Sequence, residues 1–489
     1  MVREAAEGET VSDSPPNLLF VFGDQWRRQA VGCMHADPVF TPNMDRFASE
    51  GMLFENAVSC SPLCTPNRAA LLTGRHPFSL GMMHNWLRLP VEEETIATVA
   101  ARAGYDTGYI GKWHLDAFEP GDKGDYWNCQ TPSGPRRMGF RFWHAHGCNH
   151  KHFIHNYITT DDRIVTGRGW QVDYETDVAL RYIENPGGEF RPADRPFCLF
   201  LSWSPPHNLC GGPGWHRDRP GPQFRAPARF EQLYRERDLP VRPNARDHAD
   251  RYLEAATGYF GSVSSMDENF GRLLDVLDGN DLAEDTIVVL TSDHGEMLQS
   301  HGRWLKDTWH EESIGIPFLV RWPERVPAGR RETMLLNTPD IMPSLLALMG
   351  CPVPPGRHGA DFSGVLLGRE TAAPPFAFLS YNSGAPEPGM TPYEFPDERG
   401  RYWRGLRSTR YTYAVVDNTD RSAYHGPDPW GPRFPDGVSR VLLDNLEDPY
   451  QLNPVYPGQG RDDVMDELHA ALAGWLQSLG DPFLEKYAG

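Results

Sequence analysis

The residues best equipped for chemistry lie between Cys60 and Arg75, in the run CSPLCTPNRAALLTGR. Pro66 just inside an alanine–leucine run, and Gly74 just past it, give the polarity of a short helix. Cys64 then stands at the helix N-terminus, where free backbone N–H groups and the macrodipole favour an anion. Arg68, one turn further on, adds a permanent positive charge with a forked set of donors. A sulfur nucleophile and an anion cradle within one turn point to work on a sulfate or phosphate ester. Taken alone, the stretch also reads as a buried cysteine ahead of an ordinary helix.

Four other polar sets follow apolar, strand-like runs. Asn17–Phe22 leads to Asp24 and Gln25, and Thr107–Gly111 to Lys112-Trp113-His114. Phe197–Trp203 leads to Pro206-His207, and Thr286–Thr291 to Asp293-His294. Such short, continuous runs are the pattern of strands buried on both faces of a parallel sheet. Ligands gather just beyond the carboxyl ends of such strands. Lys112 and His114, two residues apart, point the same way and reach toward one oxyanion. Singly, Asp24 is a strand-end cap, Lys112 a solvated lysine and His114 a packed histidine. All together, at one sheet edge beside an anion-binding helix start, they favour an enzyme.

Cys64-Thr65-Pro66-Asn67-Arg68, continued by Leu72-Thr73-Gly74-Arg75, resembles the Cys-x-Pro-x-Arg signature of the formylglycine-dependent sulfatases of the alkaline phosphatase superfamily. Thr41-Pro42-Asn43-Met44-Asp45, Gly111-Lys112-Trp113-His114 and the run HGRWLKDTWHEESIGIPFLVRWP (301–323) resemble further blocks of that family, in family order from Asn17 to about Gly364. The fold implied is α/β: a large mixed, mostly parallel sheet sandwiched by helices, with a smaller C-terminal antiparallel sheet plus helix. The resemblance implies that a maturation enzyme oxidises Cys64 to Cα-formylglycine, whose hydrated aldehyde attacks sulfur. It implies one divalent ion, Ca2+ first and Mn2+ or Mg2+ as alternatives, on Asp24, Gln25, Cys64, Asp293 and His294. The other catalytic positions it implies are Arg68, Lys112, His114, His207 and Lys306. Of these, His207 and Lys306 serve the leaving-group oxygen, and His114 is the base.

Gln25 departs from the usual family pattern of two aspartates; its carbonyl still suits a hard cation, with one negative charge fewer. Some relatives that cleave phosphodiester or phosphonate esters share Asp-Gln here, which makes a phosphonate monoester hydrolase or phosphodiesterase the alternative to a sulfatase. The Lys112–His114 pair favours sulfate. A thiolate enzyme with unmodified Cys64 and a non-catalytic binder of sulfated glycans complete the readings.

The elements that must position these groups are legible too. Helices are expected after Thr41 and over Glu93–Ala103, Val172–Glu184, Arg251–Leu277 and Asp462–Leu479, with alternating strands over Tyr402–Val416. The chain divides into a disordered lead-in (1–16), a catalytic α/β domain (17–368) and a C-terminal α+β subdomain (369–489). Within Tyr126–Asn156, the cluster of Trp143, His144, His146, Cys148, His150, His152 and His155 is open to three readings: a zinc site, a ring-rich loop at the substrate mouth, or plain packing. Asn85 either touches the ester or holds a turn.

A net charge of −19 excludes general affinity for nucleic acid or anionic membranes, so basic residues that serve an anionic ester must be gathered in one pocket. No apolar run approaches the roughly 20 residues of a membrane span. The first sixteen residues lack an apolar core, and the eight cysteines form neither CxxC pairs nor a dense framework. The expected location is cytoplasmic as given, or exported if a signal peptide has been removed. The expected partners are a sulfated small molecule or saccharide and the maturation enzyme, and the rings near the mouth favour a sugar or aryl alcohol.

Overall fold

The computed structural model describes residues 15–85, 87–116, 131–210, 222–235, 237–369, 372–382, 402–416 and 440–487. All but the last two residues of the expected lead-in, Cys129, and the start of the histidine-rich segment lie outside them.

The run NLLFVFGD forms β1 (Asn17–Asp24), buried at every position. It is buried because it is central: β7 (Phe197–Pro206) pairs with it in parallel on one side and β8 (Thr286–Ser292) on the other. Next to β7, β3 (Asp106–Lys112) and β4 (Phe142–His146) continue in parallel, and β5 (Ile154–Thr159) and β6 (Ile164–Arg168) close that edge as an antiparallel meander. Beyond β8, β9 (Phe318–Arg321) runs antiparallel to its neighbours, followed by β2 (Met52–Val58) and β10 (Arg330–Asn337). The order is β10-β2-β9-β8-β1-β7-β3-β4-β5-β6.

Alternate side chains of β1 feed two cores. Leu18, Phe20 and Phe22 join the face covered by α2 (Cys64–Thr73), α3 (Ile96–Arg102) and α8 (Thr338–Leu348). Leu19 and Val21 join the face covered by α1 (Pro42–Glu50), α4 (Gln171–Glu184), α5 (Ala228–Arg235) and α6 (Ala249–Gly279). A sheet buried on both faces needs apolar residues at every position, which is why its strands read as unbroken runs. The short α7 (Glu311–Ile314) lies just before β9.

A separate antiparallel sheet follows: β11 (Ala377–Asn382), β12 (Tyr402–Arg407), β13 (Tyr411–Val416) and β14 (Arg440–Asp444). Leu379, Trp403, Ala414 and Leu443 pack it against Leu63, Trp309 and Ile314 of the larger body. Its other face, with Tyr402, Leu406 and Tyr413, covers Met465, Leu468, Leu472 and Leu476 of the C-terminal helix Asp462–Leu479. The small sheet thus braces Leu63, the residue that precedes Cys64.

Two expectations are corrected. The helix over 93–103 is shorter, because the side chain of Thr95 accepts from the Thr98 N–H in a capping box and leaves Glu93 and Glu94 outside. Of the histidine-rich segment read as a zinc site, a loop at the mouth or plain packing, residues 142–146 and 154–156 are strand and the histidines there pack in the sheet. The His144 ring packs between Tyr157 and Tyr174, and among the described residues these histidines form no candidate metal group. No helix among the described residues is long and apolar enough to cross a membrane.

Candidate active site

The site is built at the carboxyl ends of the central strands. Asp24 ends β1, Lys112 ends β3, His207 follows β7, and Asp293 and His294 follow β8. Gly111 lets β3 close on β7 just before Lys112: its φ is +96°, and a Cβ there would stand 2.0 Å from the carbonyl oxygen of Ser202. Cys64, the first residue of α2, faces this edge from above, with Arg68 one turn behind it.

Arg68 is the hub. Its Nη2 donates to Asp24 Oδ2 at 3.0 Å and its Nε to Asp293 Oδ2 at 2.9 Å. Its Nη1 donates to the Lys112 carbonyl and to Ser202 Oγ, both at 2.8 Å. Lys112 Nζ also donates to Asp24 Oδ2. The other oxygens of the two aspartates turn toward Cys64 and His294. Asp24 Oδ1 is 3.7 Å from Cys64 Sγ, and His294 Nε2 lies 3.2 Å from that sulfur and 3.6 Å from Asp293 Oδ1. His294 Nδ1 donates to the Gly295 carbonyl at 3.1 Å, which leaves the Nε2 lone pair pointing into the cluster. One ligand atom from each of Asp24, Cys64, Asp293 and His294 lies within 4.8 Å of the others, and all four residues are buried.

Two buried carboxylates, an imidazole lone pair and a residue at the start of a helix form a donor set suited to a divalent cation. Gln25 is turned differently from the expectation. Its amide nitrogen donates to Glu296 Oε2 at 2.6 Å, and its carbonyl oxygen accepts from Lys306 Nζ at 2.5 Å. Lys306 Nζ also lies 3.8 Å from Cys64 Sγ and 3.2 Å from His207 Nε2. His207 Nδ1 donates to the Asn208 carbonyl at 2.9 Å, so Nε2 carries the lone pair and accepts from the Lys306 ammonium. His114 stands two residues past β3 with φ +54°, and its carbonyl accepts from Thr65 Oγ1 at 2.8 Å.

The electrostatics follow from this packing. Burial alone would raise Asp24, but the charges of Lys112 and Arg68 overcome it and hold the carboxyl well below its ordinary range. Burial opposes the charge on Lys112, yet Asp24 locks the proton on. Burial and then Asp24 push the Cys64 thiol up, so a thiolate is disfavoured there. His114 is pushed well down by burial and by Lys112, and His207 by burial and by Lys306, so both are neutral imidazoles.

All the residues expected at the site converge on it. Sequence reasoning gave no role to Glu296, which takes two backbone N–H bonds on Oε1 while Oε2 orients Gln25. It also missed Ser202 and Asn208. Only Glu296 had a local signal, standing three residues after Asp293 in a block already singled out. Asn85 holds a turn of backbone: its Oδ1 accepts the Thr65 N–H at 3.0 Å, at the start of α2.

A family model described as "Sulfatase" matches residues 16–351. An "Ulvan-active sulfatase" of Formosa agariphila is 33% identical over 473 residues, 96% of this chain and 82% of that one. An "Endo-4-O-sulfatase" of Bacteroides thetaiotaomicron is 30% identical over 510 residues, 96% and 93% of the two chains. A solved structure from work on glycosaminoglycan metabolism by that bacterium superposes with a TM-score of 0.82 at 30% identity, over 97% of this chain and 98% of that one.

Proposed function

The chain belongs to the sulfatase family and is a sulfuric ester hydrolase with an alkaline phosphatase-like fold; we propose that its substrate is a sulfated saccharide and its nucleophile a Cα-formylglycine made from Cys64. The observation that carries the reading is the convergence of Asp24, Cys64, Asp293 and His294 at the start of α2. Relatives named for action on ulvan and for endo-4-O-sulfatase activity support a saccharide.

A divalent cation, Ca2+ first and Mn2+ or Mg2+ next, would be held by Asp24, Asp293, His294 and residue 64 beside the neutral Gln25 carbonyl, and would serve as a Lewis acid toward a sulfate oxygen. The hydrated aldehyde would supply one hydroxyl as nucleophile and a second through which sulfate is released. This chain's own residues do the rest. Arg68 holds both aspartates by a hydrogen bond to one oxygen of each. Lys112, Lys306 and the start of α2 attract the ester's negative charge. Lys306 is the proton donor for the departing alkoxide, aligned by the lone pair on His207 Nε2. His114, neutral and next to Lys112, is the base that takes a proton at residue 64.

Lys112 and His114 count against a phosphonate specialist, since relatives specialised for phosphonates tend to lack that pair. Intact mass tests the modification: conversion lowers the chain by about 18 Da relative to the thiol. Cys64→Ser is expected to lose about 10³-fold or more in turnover, since a serine cannot expel sulfate by reverting to a carbonyl. Full activity in that variant removes the mechanism. Chelation is expected to stop turnover and lower the melting temperature, with both restored by Ca2+. A melting temperature indifferent to chelator and to added ion removes the metal.

A further inference from the structure

Behind His207 lies a second imidazole that the sulfatase reading does not use. The rings of His150 and His207 are stacked face to face, with centroids 3.6 Å apart and planes 4° from parallel. Both side chains are buried. The turn that carries His150 grips residues 207–210 at two further points. His152 Nε2 donates to the His207 carbonyl at 2.8 Å, and the Cys210 N–H donates to the His150 carbonyl at 3.1 Å. His152 is tied in turn through Nδ1 to Gln171 of α4, at 3.0 Å. His150 Nε2 is anchored 3.1 Å from Cys148 Sγ, while its Nδ1 is buried with no hydrogen-bond partner. His150 therefore meets His207 through its ring face and not through a hydrogen bond.

We propose that His150 is a positioning residue for the leaving-group acid: its stacked ring fixes the orientation of His207, and through it the Lys306 ammonium that protonates the departing oxygen. An imidazole held within the protein frame by Nδ1, with its Nε2 on a flexible lysine, keeps some freedom to swing about its outer torsion, where the potential is broad. A flat ring in van der Waals contact over its whole face removes that freedom. The Lys306 contact is made in this orientation, with His207 Nε2 3.2 Å from Nζ. A misplaced donor costs most where the leaving group cannot depart without a proton. A sugar alkoxide needs that proton, whereas a nitrophenolate departs largely without it. The turn around residues 147–153 thereby tunes the enzyme to esters of poorly acidic alcohols.

The inference rests on the sulfatase reading, and the experiment separates the two. The modified, metal-loaded enzyme is assayed on para-nitrophenyl sulfate and on a defined sulfated saccharide. Hydrolysis by the unaltered enzyme establishes the reading; cleavage of neither ester refutes it, and the inference with it. Given activity, His150→Ala is expected to lower kcat/KM on the saccharide by about 10- to 100-fold and on the aryl ester by under about 5-fold. The loss should fall mainly on kcat and not on KM. His150→Phe, which keeps a flat ring without the Cys148 anchor, is expected to recover most of the saccharide rate. Should His150→Ala fail to fold, His150→Gln, polar and of similar reach without an aromatic face, carries the same expectation. Equal losses on both esters, or His150→Phe as impaired as His150→Ala, overturn the proposal.

Discussion

Two buried networks of charge lie close together among the described residues, and one of them is the candidate site. In the first, Arg68 and Lys112 hold Asp24 and Asp293 beside Cys64. In the second, Arg27 and Arg242 share Asp37, Arg242 reaches Glu312, and Arg28 and Arg407 share Glu311. Both are nearly inaccessible to water, so burial alone does not mark function. The difference shows in how Asp37 and Glu311 on one side, and Asp24 on the other, use their two oxygens. Asp37 accepts from an arginine on each oxygen, at 2.7 and 3.2 Å, and Glu311 likewise at 3.0 Å and at 2.5 and 3.1 Å. Asp24 instead takes both of its cations on Oδ2 and turns Oδ1 toward the Cys64 sulfur. Asp37 and Glu311 are closed by arginine on both oxygens, whereas Asp24 keeps one oxygen turned toward Cys64 and His294, the geometry a ligand needs.

Three cations, Arg68, Lys112 and Lys306, stand against two carboxylates in that cup. In a chain of net charge −19 this is the local excess that an anionic ester requires.

The strongest test of the contrast is Arg68→Met. It should cost about 3–5 kcal/mol of stability, because two aspartates lose a buried partner, and about 10²–10³-fold in kcat/KM. Denaturant melts and steady-state kinetics on the same preparation read both. Arg407→Met should cost a similar 3–5 kcal/mol but leave the kcat of the folded fraction alone. A large kinetic effect there would blur the distinction between the networks.

Acid offers a gentler probe. Burial alone would raise Glu311, but Arg407 and Arg28 bring it down to about 2 from an ordinary 4.5. Its pairing therefore stabilises the fold fully above about pH 4.5, and the contribution is lost as pH falls through 2. Roughly 3 kcal/mol should disappear over that window, and Glu311→Gln should flatten this part of the stability profile. The smallest effect is expected from Asn85→Ala. It removes an acceptor from the first turn of α2, costing about 1 kcal/mol and a few-fold in turnover. A loss in turnover as large as that of Arg68→Met would mean that Asn85 touches the ester after all.

Much of this was legible before folding. Asn17–Phe22 and Thr286–Thr291 announced buried parallel strands because a strand covered on both faces is apolar at successive positions between its ends. Pro66 and Gly74 marked the ends of α2, and Asp462–Leu479 reproduced the C-terminal helix to the residue. The histidine-rich segment misled because alternate histidines suit a metal, a mouth or a stack equally well in composition. Glu296, Ser202 and Asn208 escaped because their partners are remote in the chain: Glu296 orients a residue 271 positions away.

The sequence by itself determined which runs become strands, where they stop, and that reactive residues follow their ends, since these depend on periodicity and on neighbours in the chain. Only the tertiary structure decided which lone pairs stay open and which are closed by arginine. Lys112 is a buried cation, not a solvated one, because β1 lies between β7 and β8 and brings Asp24 against the end of β3. That choice is made by strand order across some 270 residues, where hydrogen-bond registry and burial act on side chains that share no local pattern.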